Sequence, residues 1–396
     1  MRKTWVVALA ATMVMSATVG TAQARPGPQD TVRFATFNAS LNRTAEGKLL
    51  DDLSTPDDEQ ARAVAEVIQR SRPDVLLVNE FDYVPNNAAA DAFRRNYLEV
   101  PQNGAEPIRY RYAYTAPVNT GVQTGHDLNR DGMVGGPDDA HGFGEFVGQY
   151  GMLVLSRYPI DTERVRTFRT FLWKDMPGAL LPDDPATPEP ADWYSPEILK
   201  TLRLSSKSHW DIPIRVGKRV VHVLAAHPTP PSFDGPEDRN GTRNHDEIRF
   251  WADYVTPGRG DYVYDDAGRR GGLSAGERFV IVGDYNADPF DGDSTDNAIQ
   301  QLLDAPRVRD TAPASVGAVV AARLQGGAND AHRGRPWLDT ADFGDESPGN
   351  LRVDYVLPSR GMKTGRSGVF WPVPGTRLDY LNDASDHHLV WVDVRP

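Results

Sequence analysis

A short apolar run that ends in a charged or amide side chain recurs along this chain, and that recurrence restricts the fold more than any other feature. Asn38 closes the alternating, β-rich stretch Thr31–Phe37. Glu80 follows Asp74–Val78 in VNE, His227 follows Val220–Ala226 in AAHP, and Asp284 and Asn286 follow Phe279–Val282 in VGDYN. Asp354 lies in RVDYVLP with the run Val353–Leu357, and Asp386 and His387 stand in SDHH just before Leu389–Val394. Met152–Leu155 is a further run of the same kind. Runs this short and this rich in β-formers read as buried strands. Polar groups at the ends of successive strands converge on one rim of a sheet, where ligands bind. Singly each has a plain explanation: Asn38 closing a turn, Glu80 paired with an arginine, Asp284 serving an Asx-turn. The rim is inert only if all of these hold together.

Helical patterns lie between the strands. Thr55-Pro56-Asp57-Asp58 offers a capping hydroxyl, a first-turn proline and acids at the positive end of the dipole. Ala61, Val64, Ala65 and Ile68 then share one face, and Pro73 ends the helix. Further helices are expected around Asp246–Tyr254 and over Asn297–Leu303, the latter with Ser294 as its N-cap. Strands interspersed with helices predict one α/β or layered α+β domain. Pro177–Pro196, dense in proline and acids, and Ala312–Asp345, rich in Ala, Gly and Asp, read as long surface loops.

The first residues read as an address. Met1-Arg2-Lys3 is a short basic start, Trp5 to Val19 is uncharged and mostly apolar, and Ala22-Gln23-Ala24 has the small-x-small form of a cleavage site. The reading is a signal peptide over 1–24, a linker over 25–30 and one domain over 31–396, exported and secreted to the extracellular side. A membrane anchor fits less well, because the apolar stretch falls short of the ~20 residues a span needs. No later segment is long and apolar enough to span a bilayer, and no protein partner is evident. The absence of cysteine removes disulfides, thiolate-held metals and thiol nucleophiles. A formal charge of −12 argues against a basic surface that wraps nucleic acid, while leaving room for a nuclease that touches a few phosphates through a metal.

The rim residues suit metal-assisted hydrolysis. Asn38, Glu80 and Asp386 are hard oxygen ligands of the kind that hold Mg²⁺ or Mn²⁺, and such an ion polarises a phosphoryl oxygen. Asp284 would orient or deprotonate the attacking water, with Asn286 holding it in line. His387 beside a buried carboxylate such as Asp354 would stay protonated near neutrality and bind phosphoryl oxygens.

The ordered set FATFN (Asn38), LLVNE (Glu80), QYGMLVLSRYPI (from Gln149), AAHPT (His227), VGDYNADP (Asp284, Asn286), RVDYVLPS (Asp354) and SDHHLV (Asp386, His387) resembles the endonuclease/exonuclease/phosphatase superfamily, DNase I-like and of the secreted bacterial type. The resemblance implies an α+β fold, a four-layer α/β/β/α sandwich of two packed mixed β-sheets with outer helices and a site at one edge. It implies a Mg²⁺- or Mn²⁺-dependent phosphoesterase in which Glu80 binds the metal with help from Asn38 and Asp386. Asp284 then handles the water with Asn286 in support, Asp354 pairs with His387, and Tyr150 and His227 contact the phosphate. Basic loops of the kind that accompany abasic-DNA cleavage are lacking, which argues against DNA repair.

Three other patterns carry expectations. Asp127, Asn129, Asp131, Gly132, Met133 and Asp138 have the spacing of a calcium loop, a candidate structural Ca²⁺ clamp without flanking helices; an ordinary Asp/Gly turn has the same composition. Lys207, His209 and Trp210 in SKSHWD, together with Arg352, are a candidate substrate pocket, with cations on phosphate and Trp210 stacking a base or ring. The same residues would also suit a strand edge with an interior tryptophan. His126, His141, His245 and His332 default to solvated surface, and His388 to a bystander on the far face of its strand. The expectation is a secreted phosphodiesterase or nuclease acting on nucleic acid or another phosphodiester. The alternatives are a scavenging phosphomonoesterase and a catalytically silent, calcium-dependent binding module.

Overall fold

The computed structural model describes residues 31–396, so the signal peptide and linker expected over 1–30 lie outside the described residues. In chain order the strands are β1 (Val32–Asn38), β2 (Val75–Asn79), β3 (Tyr112–Tyr114), β4 (Met152–Ser156), β5 (Arg166–Thr167), β6 (His209–Val216), β7 (Arg219–Ala226), β8 (Arg278–Asp284), β9 (Ala341–Asp342), β10 (Asn350–Leu351), β11 (Asp354–Pro358), β12 (Lys363–Phe370) and β13 (Leu389–Arg395). Six form one sheet in the order β12-β13-β1-β2-β4-β3, and five form a second in the order β11-β8-β7-β6-β5. Both are mixed: β1–β2 and β7–β8 run parallel and their other pairs antiparallel. Parallel neighbours need a long crossover, and each crossover contains a helix, Glu59–Ser71 after β1 and Arg239–Val255 after β7.

The apolar alternation determines how these layers stack. Phe34, Leu77, Val154 and Val392 of the first sheet meet Trp210, Ile212, Val223 and Val282 of the second in one buried cluster. The opposite face of the first sheet, through Phe37, Leu76 and Leu155, packs on Val64 and Ile68 of the helix Glu59–Ser71. The outer face of the second, through Leu224, Ile281 and Leu357, packs on Ile248 and Trp251 of the helix Arg239–Val255. The result is the expected four-layer α/β/β/α sandwich, and each fully buried Val, Leu, Ile or Phe contributes about 1.5–3 kcal/mol to it. The β1 register sets Asn38 beside Asn79, and the β8–β11 register sets Asp284 beside Asp354. These pairings carry the polar strand ends of both sheets to one edge.

Local differences from the sequence reading have physical causes. The first long helix starts at Glu59, and its cap is Asp58, whose Oδ1 accepts the Ala61 N–H at 2.7 Å, so the Thr55 hydroxyl is not the cap. The segment Asn297–Leu303 is not one helix: Asn297, at φ +52°, ends a short 3₁₀ turn over Thr295–Asn297, an α-helical turn follows only over Gln300–Leu303, and Ser294 makes no side-chain cap bond. Ala312–Asp345 is not all loop. Ser315 caps a helix over Val316–Gln325 by accepting the Gly317 N–H, and its small residues Ala318 and Ala321 pack inward. Among the described residues no helix is long and apolar enough to cross a membrane.

Candidate active site

The two sheets meet chemically at Asp284. Its Oδ2 accepts the Asn38 Nδ2–H at 3.0 Å, lies 3.4 Å from His227 Nε2 and 3.7 Å from His387 Nε2, while its Oδ1 accepts the Asn286 N–H at 2.9 Å. Asn38 comes from the first sheet and Asp284 from the second, so one hydrogen bond joins their edges. Asn38 Nδ2 also donates to Glu80 Oε1 at 3.1 Å. His387 donates from Nδ1 to Asp354 Oδ2 at 2.9 Å, and the Thr340 hydroxyl donates to the same oxygen at 2.9 Å. Asp386, exposed, accepts from the Ser40 hydroxyl at 3.0 Å. Asn286 Nδ2 donates to the Pro228 carbonyl at 3.1 Å, tying the end of β8 to the turn after His227. Glu80, Tyr150 and Asn286 all hold φ near +50 to +57°, a left-handed backbone that non-glycine residues keep only where their surroundings enforce it.

Burial decides the charges here. It works against a charged His387, but Asp354 and Asp284 outweigh it and raise the imidazole well above its ordinary value, so His387 is a cation. His227 goes the other way: burial, then Lys207 and His387, lower it well below the ordinary range, so it is neutral. Asp284 is pushed up to about 6 by burial and by Asp354, against the pull of His387 and Asn38. A carboxylate at that value is ionised at neutrality and basic enough to take a proton from water. The Tyr150 phenol is raised by burial and by Glu80 and Asp82, so it remains a neutral donor.

Asn38, Glu80 and Asp386 fit a divalent cation. Burial raises the Glu80 carboxyl, and its two oxygens receive only neutral amides, Asn38 and Asn42, with no ion-pair partner among the described residues. A hard cation on this all-oxygen set would offset that cost. A tighter triad, Asp284, Asp354 and His387, has ligand atoms within 4.8 Å of one another. With His387 protonated it is a proton-bearing cluster and a poor place for a metal.

Two members of the expected substrate pocket belong to the core, and a third is paired away. Trp210 is fully buried between the sheets, edge-on to Tyr114 at 5.2 Å, because β6 alternates and turns it inward. His209 is buried against Phe250 and Trp251, with Nδ1 bonded to the Ser205 hydroxyl and Nε2 to the Glu247 carbonyl. Arg352 makes a two-pronged pair with Asp310 at 2.7 and 2.9 Å. Lys207 alone of that set shares the surroundings of Glu80, Asp284 and His227. In the calcium-loop candidate, Asp127 accepts the N–H groups of Asp131 and Gly132, and the Asp131 carboxylate accepts that of Met133. Asn129 Nδ2 bonds Asp131, and Asp138 faces Arg239 at 3.8 Å. The buried carboxylate that closes this loop, on the N–H groups of Leu128 and Gly135, is Asp139. His141 is not a surface residue but buried, and His388, the expected bystander, is buried as well and stacks on Trp371 at 3.7 Å.

Four supporting residues escaped the sequence reading. Asn42 Nδ2 bonds Glu80 Oε2 at 2.7 Å, and buried Asp82 accepts the N–H of Tyr150 at 3.0 Å and of Arg43 at 2.8 Å. Ser40 holds Asp386 and Thr340 holds Asp354. Asn42 and Asp82 lie close to Asn38 and Glu80 in sequence, which was the available signal; Thr340 had none.

A histidine–carboxylate pair and the oxygen donors Asn38, Glu80 and Asp386 thus lie at the shared edge of two stacked mixed sheets. The sequence model of the Endonuclease/Exonuclease/phosphatase family matches residues 35–387, and the chain belongs to that family, whose members hydrolyse phosphoester bonds. A comparison with curated proteins gives no match. Among solved structures, the chain is similar to an endonuclease/exonuclease/phosphatase from Beutenbergia cavernae DSM 12333 at 17% identity and TM-score 0.49, covering 92% of this chain and 72% of that one. It is also similar to sphingomyelinase C from Streptomyces griseocarneus, at 17% identity and TM-score 0.44 over 92% of this chain and 99% of that one. A third is beta toxin from Staphylococcus aureus with bound magnesium ions, at 13% identity and TM-score 0.44 over 92% and 99%. Membership rests on the family match.

Proposed function

We propose that this protein is an exported phosphoester hydrolase that depends on Mg²⁺ or Mn²⁺ and cleaves phosphodiesters in preference to monoesters. The observation that supports this most is the convergence of Asn38, His227 and His387 on one carboxylate, Asp284, with His387 held from behind by Asp354. Asp284 takes a proton from the attacking water, and Asn286 fixes the carboxylate through its own N–H. His387, charged and unable to turn while Asp354 holds it, donates to a phosphoryl oxygen, and neutral His227 and Tyr150 add hydrogen bonds there. Glu80, Asn38 and Asp386 hold the metal ion, which supplies Lewis-acid charge stabilisation when bound. The formal charge of −12 disfavours long polyanions and points to small or locally engaged phosphodiesters.

The test compares initial rates on bis-p-nitrophenyl phosphate and p-nitrophenyl phosphate with Mn²⁺ and with EDTA. A faster, EDTA-sensitive rate on the diester is expected. A faster rate on the monoester would replace the reading with a phosphomonoesterase, and a rate that survives EDTA would remove the metal from it.

A further inference from the structure

Asn244 stands within the helix Arg239–Val255 and is wholly buried, a poor place for an amide. Asparagine in a helix competes with the backbone for hydrogen bonds, and a buried amide needs partners for both of its ends. Asn244 finds them for one. Its Nδ2 donates to the Thr229 carbonyl at 2.7 Å and to the Tyr285 carbonyl at 2.9 Å, while its Oδ1, also buried, has no hydrogen-bond partner among the described residues. Carbonyls only accept, so the nitrogen is the end of the amide that faces them.

The two donors join the segments that carry the reacting side chains. Thr229 lies two residues past His227, and Tyr285 follows Asp284 directly. β7 and β8 run parallel with Ala226 beside Gly283, so His227 and Asp284 leave neighbouring strand ends at the same level. His227 Nε2 stands 3.4 Å from Asp284 Oδ2. The parallel ladder stops there, and the Asn244 amide crosses between the two turns that follow, one hydrogen bond to each. Asn286 adds a bond from its own turn to the Pro228 carbonyl, and Glu247 grips the Thr229 N–H at 2.8 Å on the His227 side alone. Asn244 belongs to neither turn and holds both, from a helix that Ile248 and Trp251 anchor in the core. Using both donors of one amide in this way leaves Oδ1 unpaired, a loss of stability that a residue kept for stability has no reason to carry.

We propose that Asn244 is a positioning residue of this site: by holding the turn after His227 and the turn after Asp284 at a fixed separation, it sets the distance between the imidazole and the carboxylate. The inference rests on the phosphoesterase reading above. Asn244 acts through those two residues and touches no reacting atom.

The experiment uses the full chain with Asn244→Ala and, as a control on the same helix, Ile248→Val, which trims a core contact and leaves both turns alone. Three quantities are measured: kcat and KM on bis-p-nitrophenyl phosphate with Mn²⁺, the melting temperature, and the ¹H–¹⁵N ring correlations of His227, assigned by their loss in His227→Gln. In Asn244→Ala, misplacement of the pair is expected to lower kcat roughly 10–100-fold, with KM changed by less than about twofold and the His227 ring signals displaced. Ile248→Val should lower the melting temperature and leave kcat and the ring signals as in wild type. If Asn244→Ala does not fold, Asn244→Ser, which keeps one hydroxyl donor, takes its place. A lower melting temperature with kcat unchanged would overturn the proposal, as would a loss confined to KM or an equal loss of kcat in Ile248→Val. Unmoved His227 signals in the folded variant would overturn it whatever the rates. If the wild type turned over no ester while the His227 signals still moved in Asn244→Ala, the hydrolase reading would fall and the positioning would stand.

Discussion

Asp339 is a group whose charge this fold tolerates poorly at alkaline pH. It is 6% exposed, and burial together with the nearby Asp288 and Asp291 pushes its carboxyl up to about 8 from an ordinary value of 3.8. Both neighbours are committed as acceptors: Asp288 takes the N–H groups of Phe290, Asp291 and Arg352, and Asp291 those of Arg333 and Gly334. The Asp339 carboxyl itself makes no hydrogen bond among the described residues, so an amide loses nothing there. Because the folded value lies above the unfolded one, the folded state binds the extra proton between about pH 4 and 8. Stability is therefore fully present below the unfolded value and declines as pH rises through the folded one. About four units at about 1.4 kcal/mol each give a cost on the order of 5 kcal/mol once the group is ionised in both states, as an upper bound. With an unfolding entropy of about 2.1 cal/mol/K per residue over a chain of 396 residues, that is about 6 °C in melting temperature. Asp339→Asn should melt about 2 °C above wild type at pH 5 and about 6 °C above it at pH 9, by differential scanning calorimetry. Parallel pH profiles for the two proteins would refute the reasoning, because every other titrating group is common to both. The segment matters to the site as well, since the next residue, Thr340, holds Asp354.

Three further outcomes are expected. Asp354→Asn removes the anion that fixes and charges His387, and kcat on a diester should fall roughly 10²–10⁴-fold with KM changed far less; equal losses in kcat and substrate affinity would point to simple binding. Glu80→Ala should move the Mn²⁺ activation curve to roughly 10–100-fold higher concentration, and an unmoved curve with lower plateau would take Glu80 out of the metal set. Trp210→Ala should cost roughly 3–5 kcal/mol in urea unfolding and leave KM for the folded enzyme unchanged, whereas a raised KM at unchanged stability would return Trp210 to the substrate pocket.

The rim of this site was legible because strand ends are local features. Asn38, Glu80, His227 and Asp284 each follow an apolar run whose β character is encoded within five to eight residues, and burial of that run forces the next polar residue to the edge. Trp210 and His209 were misplaced for the complementary reason. A β-strand sends alternate residues to opposite faces, and which face is wet depends on what covers it. Trp210 meets Tyr114 of the other sheet, and His209 meets Phe250 and Trp251 of the helix behind; neither cover is marked near SKSHWD. Arg352 fell to the same ignorance, since its partner Asp310 lies 42 residues away. Lys207 lies two residues before His209; Asn119 holds its carbonyl, and Glu247 holds the N–H of the preceding Ser206. The chemistry-bearing residues are thus written at strand ends, while the residues that hold them, Thr340, Asp82 and Glu247, are written wherever the chain happens to return. A single sequence marks the first set by its pattern and the second only through the fold.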